Sequence, residues 1–269
     1  MIVFLIVLVF VFTLYVLSTK CLKGHPELER FRNWSYAHRG LYGPDAPENS
    51  LEAFRRARDA GYGVELDVHL LADGNLAVIH DSQLPRITGK QGCVEDLAAH
   101  ELSGYKLCGT DYAIPLFSEV LEVFSGKVPL IVELKVHNNN HAQLCKKVCQ
   151  MLDNYSGVFC LESFDPRCVL WLKKNRPDLI RGQLTENYFR STTSRIPWVL
   201  KIVLTNQMLN FLVAPHFIAP RYPNRKSFGS MLSRKLWGAP GITWTVQNQE
   251  EYDQAVSEGW IPIFEGFCP

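Results

Sequence analysis

Nine short apolar runs, most of them separated by segments of helical periodicity, constrain this chain more than any other feature. The runs are Trp34–His38, Gly63–Val68, Leu76–His80, Leu130–Leu134, Val158–Ser163, Ile180–Leu184, Phe217–Ala219, Ile242–Val246 and Ile261–Phe264. Helical stretches at Ser50–Ala60, Ser118–Phe124, His141–Leu152, Pro166–Asn175 and Gln249–Glu258 lie among them. Strand and helix in alternation imply a mostly parallel sheet of the α/β class, and this many units closes most naturally into a (β/α)8 TIM barrel. A chain of 269 residues, 47% of them hydrophobic, can bury one core of that size. Nine runs for eight places leave one outside the barrel. The link between Asp67 and Leu76 is too short for a helix and Asp73-Gly74 reads as a turn, so the barrel is expected to be irregular there.

Two segments break the alternation. Residues 81–116 show no strong periodicity and contain Pro85, Gly89, Gly92, Gly104 and Gly109. Leaving the end of a strand at His80, this segment is well placed to wall an active site. The stretch Ile196 to Val213 is apolar nearly all round, with Lys201, Thr205, Asn206, Gln207 and Asn210 spread about the helical wheel. Burial by neighbouring elements and a dip into a bilayer both fit that pattern.

Met1 to Leu17 is an apolar run without a charged side chain, at the short end of what spans a bilayer. No basic residue precedes Lys20 and no cleavage site follows, which sets the run apart from a secretory signal. Residues 1–19 therefore read as a transmembrane anchor, 20–33 as a linker, and 34–269 as the domain. Lys20, Lys23, Arg30 and Arg32 after the run put that domain on the cytoplasmic side of a single-pass cell-membrane protein. The eight cysteines, scattered without the spacing of a disulfide scaffold, suit the same reducing compartment. With 28 basic against 27 acidic residues, nothing marks nucleic acid as a partner.

The chemistry is concentrated early. Ala37-His38-Arg39-Gly40, Pro47-Glu48-Asn49-Ser50, Glu65-Leu66-Asp67 and His80-Asp81 fall within fifty residues, and Glu133-Leu134-Lys135 follows later. Residues two apart on a strand share a face, so Glu65 stands beside Asp67, and Glu133 beside Lys135. Glu65, Asp67 and Glu133 supply the oxygen ligands preferred by a divalent cation, Mg2+ or Ca2+. His38 and His80, each ending an apolar run, are the natural acid and base. Arg39 has the forked donors suited to phosphate oxygens, and Lys135 adds a second positive charge. Trp244 is placed to stack on a substrate or to fill the barrel mouth. Glu48 reads equally as a metal or substrate contact and as a helix cap, and His69 as a supporting group more than a ligand.

In order along the chain, these motifs, with Ser163-Phe164-Asp165 and Trp244-Thr245-Val246, resemble the glycerophosphodiester phosphodiesterase family of the phospholipase-C-like phosphodiesterase superfamily, in its bacterial type with an N-terminal anchor. The resemblance runs from about Ser35 to about Asn248 and implies a small inserted lobe at 81–116. It implies metal-dependent hydrolysis of a small-molecule glycerophosphodiester to glycerol 3-phosphate and an alcohol. The implied course is attack by the neighbouring glycerol hydroxyl, expulsion of the head-group alcohol, and opening of a cyclic phosphate by water. His38 and His80 share the acid and base roles, with His80 preferred for protonating the leaving group. Head-group release from a lysophospholipid, in the manner of a lysophospholipase D, is a close alternative; an inactive barrel serving as a scaffold is a distant one. Three departures stand out. Gln247 replaces the family's Asn after Trp-Thr-Val, and Phe264-Glu265-Gly266 replaces its closing Thr-Asp-x-Pro, while Glu162 adds a carboxylate beside Ser163-Phe164.

Overall fold

The computed structural model describes residues 1–190 and 196–269. Its strands are β1 (Tyr36–His38), β2 (Gly63–Leu70), β3 (Leu76–Val78), β4 (Leu130–Leu134), β5 (Phe159–Ser163), β6 (Arg181–Thr185), β7 (Phe217–Pro220), β8 (Ile242–Val246) and β9 (Ile261–Phe264). Eight of them run parallel in the order β7-β6-β5-β4-β2-β1-β9-β8. The two end strands meet through single bridges, Ile218 to Gly241 and Arg221 to Trp244, so the sheet is a nearly closed barrel consistent with the TIM fold. The ninth strand is the expected irregularity: β3 folds back antiparallel on β2, pairing Val78 with Val68.

The helices are α1 (Ile2–Ser18), α2 (Glu29–Arg32), α3 (Leu51–Asp59), α4 (Pro85–Thr88), α5 (Phe117–Phe124), α6 (His141–Leu152), α7 (Pro166–Asn175), α8 (Trp198–Thr205), α9 (Asn210–Val213), α10 (Phe228–Met231) and α11 (Gln249–Ser257). Helix α3 shows how sequence sets them. Ser50 accepts the Ala53 N–H at 3.1 Å and starts the helix, whose buried residues are Ala53, Phe54 and Ala57. The strand period of two then divides β2: Val64, Leu66 and Val68 pack outward with Phe54, Phe117 and Phe124, leaving Glu65 and Asp67 to face the barrel interior. Inside, Tyr36, Ile131, Cys160, Phe217 and Ile263 fill the floor. Gly63 and Gly182 make room for it, since a Cβ would stand 2.6 Å from the Tyr36 ring at one and 2.1 Å from the Phe217 ring at the other. Residues 81–116 carry a small core of their own, in which Leu84, Ile87, Val94, Leu102 and Ile114 pack against Ala77 and Ile79.

Three expectations change. Among the described residues no helix is long and apolar enough to cross a membrane, so the transmembrane helix, the single-pass cell-membrane placement and the cytoplasmic orientation argued from it are not upheld. The physical reason is length: the 17 residues of α1 span about 25 Å at the α-helical rise, short of a hydrocarbon core of about 30 Å. Its C-terminal turn is tied to the barrel, with the Trp237 indole donating to Val16 O at 3.2 Å and to Thr19 Oγ1 at 3.1 Å. Second, residues 20–33 do more than link, because Leu28 and Phe31 are buried in the barrel floor. Third, Ile196 to Val213 breaks into α8 and α9 and turns two of its polar side chains inward. Gln207 and Asn210 are buried in a network with Ser230, Ser233 and Cys21, while Trp198, Val199, Phe211 and Leu212 are exposed.

Candidate active site

The site lies at the C-terminal mouth of β1, β2 and β4. His38 ends β1, and the chain then turns at once: Arg39 has φ 57° and Gly40 φ 84°. A Cβ at Gly40 would lie 2.8 Å from the Ala53 backbone, which explains why glycine follows the His-Arg pair. Asp67 pairs in register with Glu133 across β2 and β4, and oxygens of Glu65, Asp67 and Glu133 all fall within 4.8 Å of one another, every one of them buried. Lys135 Nζ sits 2.9 Å from Asp67 Oδ1 and 2.9 Å from Glu133 Oε1. Asn49 donates to Asp67 Oδ2 at 2.8 Å.

Charge is finely divided among these groups. Burial, then repulsion from Asp67 and Glu133, pushes the Glu65 carboxyl well above its usual range. Burial likewise lifts Glu133 to about 7 against the pull of Lys135. Asp67 goes the other way, because Lys135, His80 and Arg39 together outweigh its burial and hold it well below the ordinary carboxylate value. A buried carboxylate trio this close, part of it driven towards protonation, fits a hard divalent cation with oxygen coordination.

Each histidine is held through Nδ1 by a carboxylate, leaving Nε2 free to work. His38 Nδ1 hydrogen-bonds Glu265, and its Nε2 lies 3.8 Å from Glu65. His80 Nδ1 hydrogen-bonds Asp81 at 2.6 Å. Burial lowers both imidazoles below their ordinary value, opposed by Glu265 at His38 and by Asp67 and Asp81 at His80. Arg39 donates to Glu48 at 2.8 Å and reaches within 3.5 Å of Asp67. The cap of α3 is Ser50, and Glu48 instead also binds Arg86 of α4 at 2.6 and 3.1 Å, while Arg86 in turn pairs with Asp81. His69 lies behind His80, its Nδ1 2.6 Å from Glu95 and its Nε2 3.2 Å from the His80 carbonyl.

A cavity of about 440 Å3 opens between these groups, reaching His38, His80, Glu133, Lys135 and Trp244. His38, Arg39, Glu65, Asp67, His80, Glu133, Lys135 and Trp244 thus converge on one mouth. Trp244 spends its indole N–H on Ala219 O at 2.9 Å and presents ring to the cavity. Sequence reasoning missed Glu265 and Arg86. Glu265 stood where the chain departs from the family's closing motif, and Arg86 lay in a segment without periodicity. A larger cleft of about 670 Å3 at the other end of the strands, beside Trp34 and Trp260, holds none of the acid–base groups.

Three buried carboxylates and two imidazoles at the C-terminal mouth of a parallel barrel are a donor set of the kind that holds a hard divalent cation beside groups able to exchange protons. The family model described as glycerophosphoryl diester phosphodiesterase matches residues 38–264, and the chain belongs to that family. A glycerophosphodiester phosphodiesterase of Bacillus altitudinis is 36% identical over 130 residues, 45% of this chain and 52% of that protein. One from Caldanaerobacter subterraneus subsp. tengcongensis is 28% identical over 239 residues, 83% of this chain and 89% of its own. The rat lysophospholipase D GDPD1 is 34% identical over 161 residues, 52% of this chain and 49% of its own. The chain thus spans about half the length of several of the curated relatives it matches. Among solved structures, an Oleispira antarctica phosphodiesterase in complex with the product sn-glycerol-3-phosphate superposes with a TM-score of 0.69 at 22% identity, covering 88% of this chain and 94% of that one.

Proposed function

We propose that this protein hydrolyses glycerophosphodiesters to glycerol 3-phosphate and an alcohol. The observation that carries the reading is the buried trio Glu65, Asp67 and Glu133 facing two histidines that carboxylates hold by Nδ1. Those three residues would hold Mg2+ or Ca2+, which when bound supplies positive charge to the phosphoryl oxygens. The protein's own groups do the rest. Arg39 and Lys135 bind and orient the phosphate. His38, the more deeply buried imidazole, takes the proton of the glycerol hydroxyl next to the phosphate as its oxygen attacks phosphorus. His80, with a third of its side chain exposed, gives a proton to the departing alcohol where that alcohol reaches solvent. Water then opens the cyclic phosphate, with the two imidazoles exchanging roles.

The names of the Bacillus and Caldanaerobacter relatives support this reading. The rat relative's name supports a second substrate class, lysophospholipids, for the same site. Both are tested by assaying the full chain with glycerophosphocholine, glycerophosphoethanolamine, glycerophosphoglycerol and lysophosphatidylcholine, before and after chelation, with Mg2+ or Ca2+ restored separately. The expected result is turnover of the water-soluble diesters that chelation abolishes and one of the two ions restores. Full activity in a chelated sample would overturn the cation's part, and activity on the lysolipid alone would transfer the assignment to it.

A further inference from the structure

Around the mouth, the strands divide into two arcs. The arc of β1, β2 and β4 carries the histidine, cation and phosphate groups already described. The arc of β5, β6 and β8 carries Glu162, Phe164, Tyr188 and Trp244, with Glu186 at the same wall. Glu162 projects inward beside Glu133 and is 1% exposed, yet its Oε2 has no hydrogen-bond partner among the described residues. The nearby basic groups are committed elsewhere, Lys135 to Asp67 and Glu133, and Arg39 to Glu48 and Asp67. Phe164 and Trp244 meet edge to face at 5.4 Å, and Tyr188 is buried beside them.

We infer that this second arc is a head-group subsite for an alkylammonium, so that the preferred substrates are glycerophosphodiesters of cationic amino alcohols. The inference rests on the hydrolase reading and narrows its substrate class. A buried carboxylate without a partner is costly, and a cation is the ligand that removes the cost. Aromatic faces attract the same ligand, above all a methylated ammonium too bulky for a tight hydrogen bond. A neutral polyol head group would leave both the carboxylate and the ring faces unanswered. The phosphate's negative charge meanwhile lies against Arg39 and Lys135, so one cavity matches both ends of a zwitterion.

A pair of substrates differing only in charge tests this. Glycerophosphocholine and the glycerophosphodiester of 3,3-dimethylbutanol have the same shape, the second replacing nitrogen by carbon. The full chain with its divalent cation is expected to show a kcat/KM at least about tenfold higher for the choline ester, and Glu162→Gln is expected to reduce that advantage at least threefold. Equal kcat/KM values in the unaltered protein would overturn the inference while leaving the hydrolase reading intact, and this arm does not depend on how the variant folds. An advantage that survives undiminished in folded Glu162→Gln would also overturn it. Turnover of neither ester, nor of glycerophosphoglycerol, would sink the hydrolase reading and the subsite with it.

Discussion

The two histidines proposed as acid and base differ in how far solvent reaches them, with side-chain exposures of 11% at His38 and 33% at His80. In the proposed reaction that difference is the reason His80 is given the leaving-group proton. His38→Ala and His80→Ala are each expected to lower kcat by about a hundredfold or more, the lower range for a lost acid or base, with circular dichroism unchanged. A 4-nitrophenyl leaving group, which needs no proton, should restore much of the activity of His80→Ala and little of His38→Ala; the reverse pattern would exchange their roles. A different histidine adds to acid lability. Burial, then Arg181 and His25, pushes the His216 imidazole down to about 3, and its Nδ1 accepts the Arg181 N–H at 3.3 Å. An unfolded histidine titrates near 6.5. Between those values the unfolded chain binds a proton that the folded one refuses, so this contribution is complete above about pH 6.5 and is lost as pH falls towards 3. His216→Gln should therefore show a smaller drop in Tm between pH 7 and pH 4 than the parent chain, and equal drops would refute the assignment. At this scale the sequence was most legible where chemistry sat at strand ends with a spacing of two, as in Glu65 and Asp67. Glu265 was illegible for the opposite reason: its partner His38 lies far away in the chain, and only barrel closure brings the first and last barrel strands side by side.

Helix α4 shows what an element can contribute without touching the reacting atoms. Arg86 pairs with Asp81 and Glu48, and these hold His80 and Arg39 in turn. Its side chain is 48% exposed, so the ion pairs add little to stability. Arg86→Ala is expected to lower kcat/KM roughly tenfold through misplaced partners while moving Tm by no more than about 2 °C; a large fall in Tm with intact kcat/KM would make it a structural residue instead. The strands were readable because apolar runs of four or five residues between turns admit few other structures. The stretch Ile196 to Val213 was not. Periodicity shows that polar side chains surround a helix but not which neighbours await them, and here Ser230 and Ser233 draw Gln207 and Asn210 inward. Helix α1 was misjudged on length alone, since hydropathy without enough residues does not make a span.

For the whole molecule, the proposed cation would link binding to folding. A ligand that binds only the folded chain stabilises it by about 2.7 kcal/mol at a hundred times its Kd. Thermal melts should therefore rise with added Mg2+ or Ca2+, and Asp67→Asn should abolish the rise; a rise of equal size in that variant would place the ion elsewhere. The order of the strands has a consequence for how the protein changes over time. Glu65, Asp67 and Glu133 stand on β2 and β4, and His38 on β1, strands paired to neighbours on both sides, whereas Trp244 stands on β8, which meets β7 through isolated bridges. The barrel works like a vice with one fixed jaw and one adjustable jaw. Substitutions along the seam can reshape what is gripped while the reaction geometry stays where it was, so related chains can diverge in diet without reinventing their chemistry.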